Sequence, residues 1–111
     1  MKRLLCKILF IFAFFCLSFA SPALAGDAGA GKGIFTANCN ACHMGGGNVV
    51  AGPSKGLAKN YLEKNGVDTL EKIVYQVTNG KNAMPAFGGR LDAQKIEDVA
   101  TYVLSQAEAG W

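Results

Sequence analysis

The sequence predicts an all-α fold of four to five short helices joined by glycine-containing loops. Apolar residues recur at helical spacing in two stretches, 70–77 and 96–103. Acidic residues that can cap a helix precede both stretches. No stretch alternates between apolar and polar residues, so we predict no strand. A length of 111 residues allows one small domain.

The first predicted helix covers 27–38, with Asp27 near its start and Gly31 and Phe35 on one face. A glycine on a helix face lets a second helix approach closely, so we expect a crossing partner there. The stretch 45–54 is predicted to be irregular because it begins with three consecutive glycines and contains Gly52-Pro53.

Three further helices are expected along the rest of the chain. Residues 55–65 can form a short helix with Leu57, Tyr61 and Leu62 facing inward, ended by Gly66. Asp68-x-x-Glu71 is read as a capping box that opens a helix ending at Asn79-Gly80, with Leu70, Ile73, Val74 and Val77 on its apolar face.

The last predicted helix follows a second irregular loop at 81–91. Asp92 is its expected cap, and Leu91 and Ile96 are placed as a hydrophobic staple. Its buried stripe is predicted to be Ile96, Val99, Tyr102 and Val103. We expect this C-terminal helix to cross the N-terminal one near Gly31 and Phe35.

The first 25 residues have the pattern of a cleaved signal peptide. Three basic residues precede an apolar run at 8–20, and residues 21–25 end in an Ala-x-Ala cleavage site. The run of 13 residues is short for a membrane span, which needs ~20. The alternative is an uncleaved membrane anchor. We therefore predict a signal peptide at 1–25, a mature domain at 26–111, and no membrane span in the mature protein.

Removal of this segment changes both the charge and the cysteine count. The segment carries three of the 11 basic residues and none of the 8 acidic ones, so the mature chain has 8 of each. A neutral chain argues against nucleic-acid binding, because phosphate contacts need a basic patch. Cys6 and Cys16 leave with the signal, so only Cys39 and Cys42 remain.

Cys39-x-x-Cys42-His43 is the attachment pattern of a covalent haem c. Each thiol can form a thioether to a haem vinyl group, and the adjacent imidazole can ligate the iron. A zinc site would need four ligands, and the mature chain has two cysteines and one histidine. A thioredoxin-type pair would accompany a βαβ unit, and a plain disulfide leaves His43 unexplained. One haem c is therefore the predicted cofactor.

Met84 is the candidate for the sixth iron ligand, because His43 is the only histidine in the chain. Met1 leaves with the signal, and Met44 is held on the proximal side by its neighbour. Pro85 keeps Met84 extended and outside a helix. With both axial positions filled, oxygen or peroxide has no site on the iron, which favours electron transfer over enzymatic chemistry. In the alternative, Met84 is loop core and the iron is five-coordinate.

Two further residues have open interpretations. Gln76, on the helix before the Met84 loop, could hydrogen-bond near the haem and adjust its potential, or could be a solvated side chain. Arg90, after that loop, could belong to a docking patch beside the haem edge, or could be an isolated surface arginine.

Three segments resemble cytochrome c6, a monohaem cytochrome of cyanobacteria and algae. The segment 75–91, YQVTNGKNAMPAFGGRL, is similar to the distal loop of that family. Residues 38–43, NCNACH, match its haem-binding segment, and 96–104 with Gly110-Trp111 match its last helix and its end. The resemblance covers essentially the whole mature chain.

This resemblance implies a class I cytochrome c fold wrapped around one haem c. It also implies a soluble carrier in the thylakoid lumen that transfers electrons from cytochrome f of the b6f complex to photosystem I. Carried over by motif, the site residues are Cys39 and Cys42 for covalent attachment, His43 and Met84 as iron ligands, Gln76 beside the haem, and Arg90 for docking.

Two other functions compete with this one. A donor to a terminal oxidase would use the same haem chemistry, and surface charge does not separate the two carriers. A haem enzyme or gas-binding protein would need an open iron site, and the Met84-Pro85 pair argues against it.

Overall fold

The computed structural model describes residues 2–8 and 26–111. Residues 2–8 are helical and exposed, while the rest of the predicted signal peptide and its cleavage site lie outside the described residues. Within the described ranges, no helix has both the length and the apolar character needed to cross a membrane.

Residues 26–111 fold into helices and loops. We number the helices α1 (Ala28–Asn38), α2 (Asn40–His43), α3 (Lys59–Lys64), α4 (Leu70–Asn79) and α5 (Ala93–Ala109). Single 3-10 turns lie at Met44–Gly46 and Pro53–Lys55. The part of the chain described here contains no strand, only one isolated bridge between Lys81 and Met84. The all-α prediction is confirmed.

Helices α1 and α5 form the main contact of the domain, and Gly31 lies where they meet. A Cβ atom at Gly31 would collide with the Asp98 carbonyl oxygen and would lie 2.8 Å from the Cβ of Tyr102. Phe35, one turn further, is 4% exposed. The predicted crossing is confirmed, and the absence of a side chain at Gly31 is what allows the two backbones to approach.

The hydrophobic core lies between α5, α1 and α4, with Phe87 from the loop before α5. Val99 and Ala100 are 1% and 0% exposed and form its centre. Three aromatic rings close one end of the crossing: Phe35 lies 5.3 Å from both Tyr102 and Trp111, centroid to centroid. Such tilted ring pairs add to the stabilisation gained from burial.

The first turns of α4 and α5 test the capping predictions. Asp92 caps α5 as expected, since its carboxylate accepts a hydrogen bond from Lys95 N at 2.8 Å. The capping box predicted for Asp68 is wrong by one residue, because Thr69 is the cap and accepts from Lys72 N at 3.3 Å. Asp68 instead pairs with Lys72 Nζ at 3.4 Å, one turn along α4.

The helix predicted at 55–65 is shorter in the structure. Only Lys59–Lys64 is α-helical, with Leu62 buried and Tyr61 half-buried. Leu57 N donates to the Gly46 carbonyl oxygen at 2.6 Å, and Gly56 is extended beside it. These contacts with the loop after His43 hold the chain out of helical geometry before Lys59.

Candidate functional site

The Cys-x-x-Cys-His segment forms a single helical turn at the end of α1. Cys39 N donates to Phe35 O at 2.8 Å, and His43 N donates to Cys39 O at 2.9 Å. Residues three and four apart on a helix lie on one face. Both thiols and the imidazole consequently line one cavity.

In the structure, no disulfide joins Cys39 and Cys42. Burial, with a smaller effect of the neighbouring Cys42, raises the pKa of the Cys39 thiol to about 11. The described residues lack the βαβ unit that a thioredoxin-type pair would accompany. Within residues 2–8 and 26–111, no group of three or more candidate metal-binding residues is found.

His43 is oriented by the loop that follows it. Its Nδ1 lies 2.8 Å from the Gly47 carbonyl oxygen. A carbonyl oxygen only accepts, so Nδ1 carries the hydrogen and donates it, and Nε2 keeps a lone pair. The loop reaches this position because Gly45 and Gly46 have φ values of 63° and 81°, which glycine adopts without a steric cost.

The loop carrying Met84 is held against α4 by backbone contacts. Phe87 N donates to Val77 O at 2.9 Å, and the amide and carbonyl groups of Lys81 and Met84 exchange two hydrogen bonds. Gly80 has a φ of 70°, and a Cβ there would lie 2.6 Å from the Met84 carbonyl oxygen. The loop therefore has a fixed path, and the Met84 side chain lines the cavity.

Gln76 connects α4 to this methionine. Its Nε2 lies 3.8 Å from the Met84 Sδ, within hydrogen-bond distance for sulfur. The side chain is half-buried and lines the cavity, so it is not a freely solvated glutamine. Sulfur is a weak acceptor, and the contact places the amide donor beside the predicted iron ligand.

The cavity has a volume of about 300 Å³ and is lined mostly by apolar side chains. The apolar lining comes from three helices and from the loop that carries Met84: Phe35, Ile73, Val77, Phe87, Val99 and Val103. Two thiols, one imidazole with a free Nε2 and one thioether reach the same space. This set of groups in an apolar surround fits a covalent porphyrin and its iron.

Met44 and Arg90 are not among the residues that line this cavity. Met44 is 66% exposed and is not among the lining residues, in contrast to Met84. Arg90 is also exposed, and its guanidinium carbon lies 5.7 Å from the centroid of the Phe87 ring. Phe87 lines the cavity, so Arg90 is one side chain removed from it.

Sequence reasoning missed a contact of the C-terminal residue. It supports the loop of residues 44–47 after His43, which we call the proximal loop. Trp111 lies against Gly46, where a Cβ would come within 2.6 Å of the indole Cγ. Gly46 directly precedes the carbonyl group that accepts from His43. An aromatic residue at the chain end and a triple glycine were visible in the sequence, but only the fold brings them together.

Comparisons with known proteins show the family of this chain. A family model described as cytochrome c oxidase, cbb3-type, subunit III matches residues 26–103. A cytochrome c6 of Rippkaea orientalis is 60% identical over 111 residues, covering 100% of this chain and 99% of that protein. A cytochrome c6 of Pyropia yezoensis is 53% identical, with full coverage of both chains.

A solved structure shows the same fold. The crystal structure of cytochrome c6 from the diatom Phaeodactylum tricornutum has a TM-score of 0.74 and 58% sequence identity. The superposition covers 78% of this chain and 100% of the diatom protein. The fold is thus that of a class I cytochrome c, and the cofactor is one covalently bound haem c. The chain belongs to the cytochrome c6 family and is a haem c electron carrier.

Proposed function

We propose that this protein transfers single electrons from cytochrome f of the b6f complex to photosystem I. It acts as a soluble carrier in the thylakoid lumen, after removal of residues 1–25 as a signal peptide. The observation that carries the proposal is the meeting of Cys39, Cys42, His43 and Met84 at one apolar cavity. The relatives named cytochrome c6 align over the whole chain, including the segment with the signal pattern.

Each of these four residues has a separate role in the proposal. Cys39 and Cys42 would form the two thioether bonds, and His43 Nε2 and Met84 Sδ would hold the iron. When bound, the haem supplies reversible one-electron chemistry at its iron. With these two side chains holding the iron, a substrate would have no place on the metal, which supports a carrier and not an enzyme.

The surrounding contacts keep these ligands in place between the two oxidation states. The Gly47 carbonyl group fixes the ring orientation of His43, at an Nδ1 to oxygen distance of 2.8 Å. Backbone hydrogen bonds from Phe87 and Lys81 fix the loop of Met84. Rigid ligands mean little rearrangement on electron transfer, which suits a carrier.

Arg90 is proposed as part of the surface that meets photosystem I. Its guanidinium lies over Phe87, whose ring in turn lines the haem cavity. A cation at this place would steer the protein toward an acidic partner, and such steering weakens as salt is added.

A donor to a terminal oxidase is the second candidate. The family model that matches residues 26–103 is named for an oxidase subunit, which favours this alternative. The relatives that cover the entire chain carry the name cytochrome c6. For this reason we place photosystem I first.

Flash-induced kinetics test the proposal. The reduced holoprotein should re-reduce oxidised photosystem I rapidly, and its rate should fall with ionic strength. Arg90→Gln should slow this step and flatten its salt dependence without changing the redox potential, whereas Lys32→Gln, an exposed cation on α1, should have little effect. Absence of fast transfer to photosystem I, together with fast transfer to a terminal oxidase, would favour the second candidate.

A further inference from the structure

Asp98 is a buried carboxylate that the haem site does not use. It lies on α5, is 7% exposed, and is the only buried charged residue in the described part of the chain. Its Oδ1 accepts hydrogen bonds from Asp27 N at 2.8 Å and from Gln94 Nε2 at 2.9 Å. The carboxylate is thus directed at the first residues of the mature domain.

No cation balances this charge among the residues described. The ion pairs found there join Lys59 with Glu108 and Lys72 with Asp68. Asp98 keeps only 7% of its surface exposed, so its charge loses much of its hydration with only neutral donors in return. Both hydrogen bonds to Asp98 end on Oδ1, which leaves Oδ2 able to accept another donor.

Gly26 directly precedes Asp27, whose amide Asp98 accepts from. A Cβ at Gly26 would lie 2.6 Å from the Glu97 carbonyl oxygen, so its backbone packs directly on α5. Asp27 N is 2.8 Å from the Asp98 carboxylate, and covalent geometry keeps Gly26 N within about 3.7 Å of Asp27 N. The nitrogen of Gly26 is therefore no more than about 6.5 Å from Asp98 Oδ1, and opposite charges within about 4–6 Å stabilise each other.

We propose that Asp98 is the receptor for the α-ammonium group that cleavage after Ala25 creates on Gly26. In the precursor this nitrogen is a neutral amide, and the buried carboxylate has no counter-ion. Cleavage supplies the counter-ion at the α1–α5 crossing, so removal of the signal peptide strengthens the folded domain. The inference rests on the proposed cleavage site and is independent of the electron-transfer partners.

The experiment compares two N-termini in the exported holoprotein. One is the native chain, whose intact mass should show that it begins at Gly26. The other carries three alanines before Gly26, which can move the ammonium group by about 10 Å. Asp98→Asn is introduced into both, because asparagine keeps an acceptor oxygen for Asp27 N and Gln94 while removing the charge.

Denaturant unfolding at neutral pH gives the result. With the native N-terminus, Asp98→Asn should raise the unfolding equilibrium constant about tenfold, between the effects of exposed and buried ion pairs. With the extended N-terminus it should change that constant less than about threefold, or lower it, because the carboxylate there is unpaired. The control Glu71→Gln removes an exposed charge on α4 and should act equally in both.

Every outcome decides the proposal. Equal effects of Asp98→Asn in both N-termini would overturn it, as would failure to fold in both. Failure to fold with the native N-terminus alone would support it. A mature chain that begins elsewhere than Gly26 would overturn it without touching the electron-carrier proposal, and slow transfer to photosystem I would leave the unfolding comparison intact.

Discussion

Replacement of Gln76 by leucine should lower the redox potential of the haem. The amide Nε2 of Gln76 lies 3.8 Å from the Met84 sulfur. A hydrogen donated to that sulfur draws electron density from it and brings a partial positive charge near the iron. Both effects disfavour the ferric state relative to the ferrous state. Loss of the donor should therefore stabilise the ferric protein.

The strength of the contact sets the size of the effect. A net hydrogen bond contributes about 0.5–1.5 kcal/mol, and 1.36 kcal/mol corresponds to about 59 mV for one electron. The expected decrease is thus about 20–65 mV, toward the lower value because sulfur is a weak acceptor.

A spectroelectrochemical titration of the holoprotein measures this shift. Tyr75→Leu is the matched control, since Tyr75 is on the same helix, is 72% exposed and is not among the cavity-lining residues. It should leave the potential unchanged. The sulfur-to-iron charge-transfer band should persist in both variants. A potential that stays constant or rises in Gln76→Leu would refute the role assigned to this amide.

Four substitutions test the packing through stability. Gly31→Ala should destabilise the holoprotein by about 1–3 kcal/mol, because its methyl group would meet the α5 backbone. Gly33→Ala, on the exposed face of α1 with nothing within 4 Å, should stabilise it by about 0.5–1 kcal/mol. If Gly31→Ala and Gly33→Ala both raised or both lowered the free energy of unfolding, the result would contradict the close crossing at Gly31. Asp92→Ala should cost about 0.5–2 kcal/mol through loss of the α5 cap, and a denaturation midpoint equal to that of the native protein would count against that cap. Trp111→Ala should cost about 2–4 kcal/mol and ease binding of imidazole to the haem, because the half-buried indole supports the proximal loop. Unaltered imidazole affinity would show that this loop needs no such support.

The sequence was sufficient for the parts of the fold that depend on local spacing. Apolar periodicity located α4 and α5, and Asp92 was recognisable as a cap because its side chain bonds its own helix. The motif at Cys39–His43 and the distal segment around Met84 identified the cofactor and the family. These are short-range patterns, and neighbouring residues decide them.

The features that sequence reasoning missed depend on residues far apart in the chain. A hydrogen bond from Leu57 N to Gly46 O delays the start of α3. Helix propensities of the local residues carry no information about this contact. The burial of Asp98 depends on Asp27 at the start of α1, which lies 71 residues earlier in the chain. Trp111 meets the proximal loop only after α5 has packed on α1. Tertiary packing determines all three.

Carbon monoxide binding tests the central claim, a haem iron closed on both faces, most directly. If His43 and Met84 both ligate the iron as proposed, the ferrous native holoprotein should show no change in its absorption spectrum under carbon monoxide at neutral pH. Met84→Ala should bind the gas readily, which shows that the assay detects an open site. Rapid, tight binding by the native protein would contradict the account and would favour a ligand-binding or enzymatic haem protein.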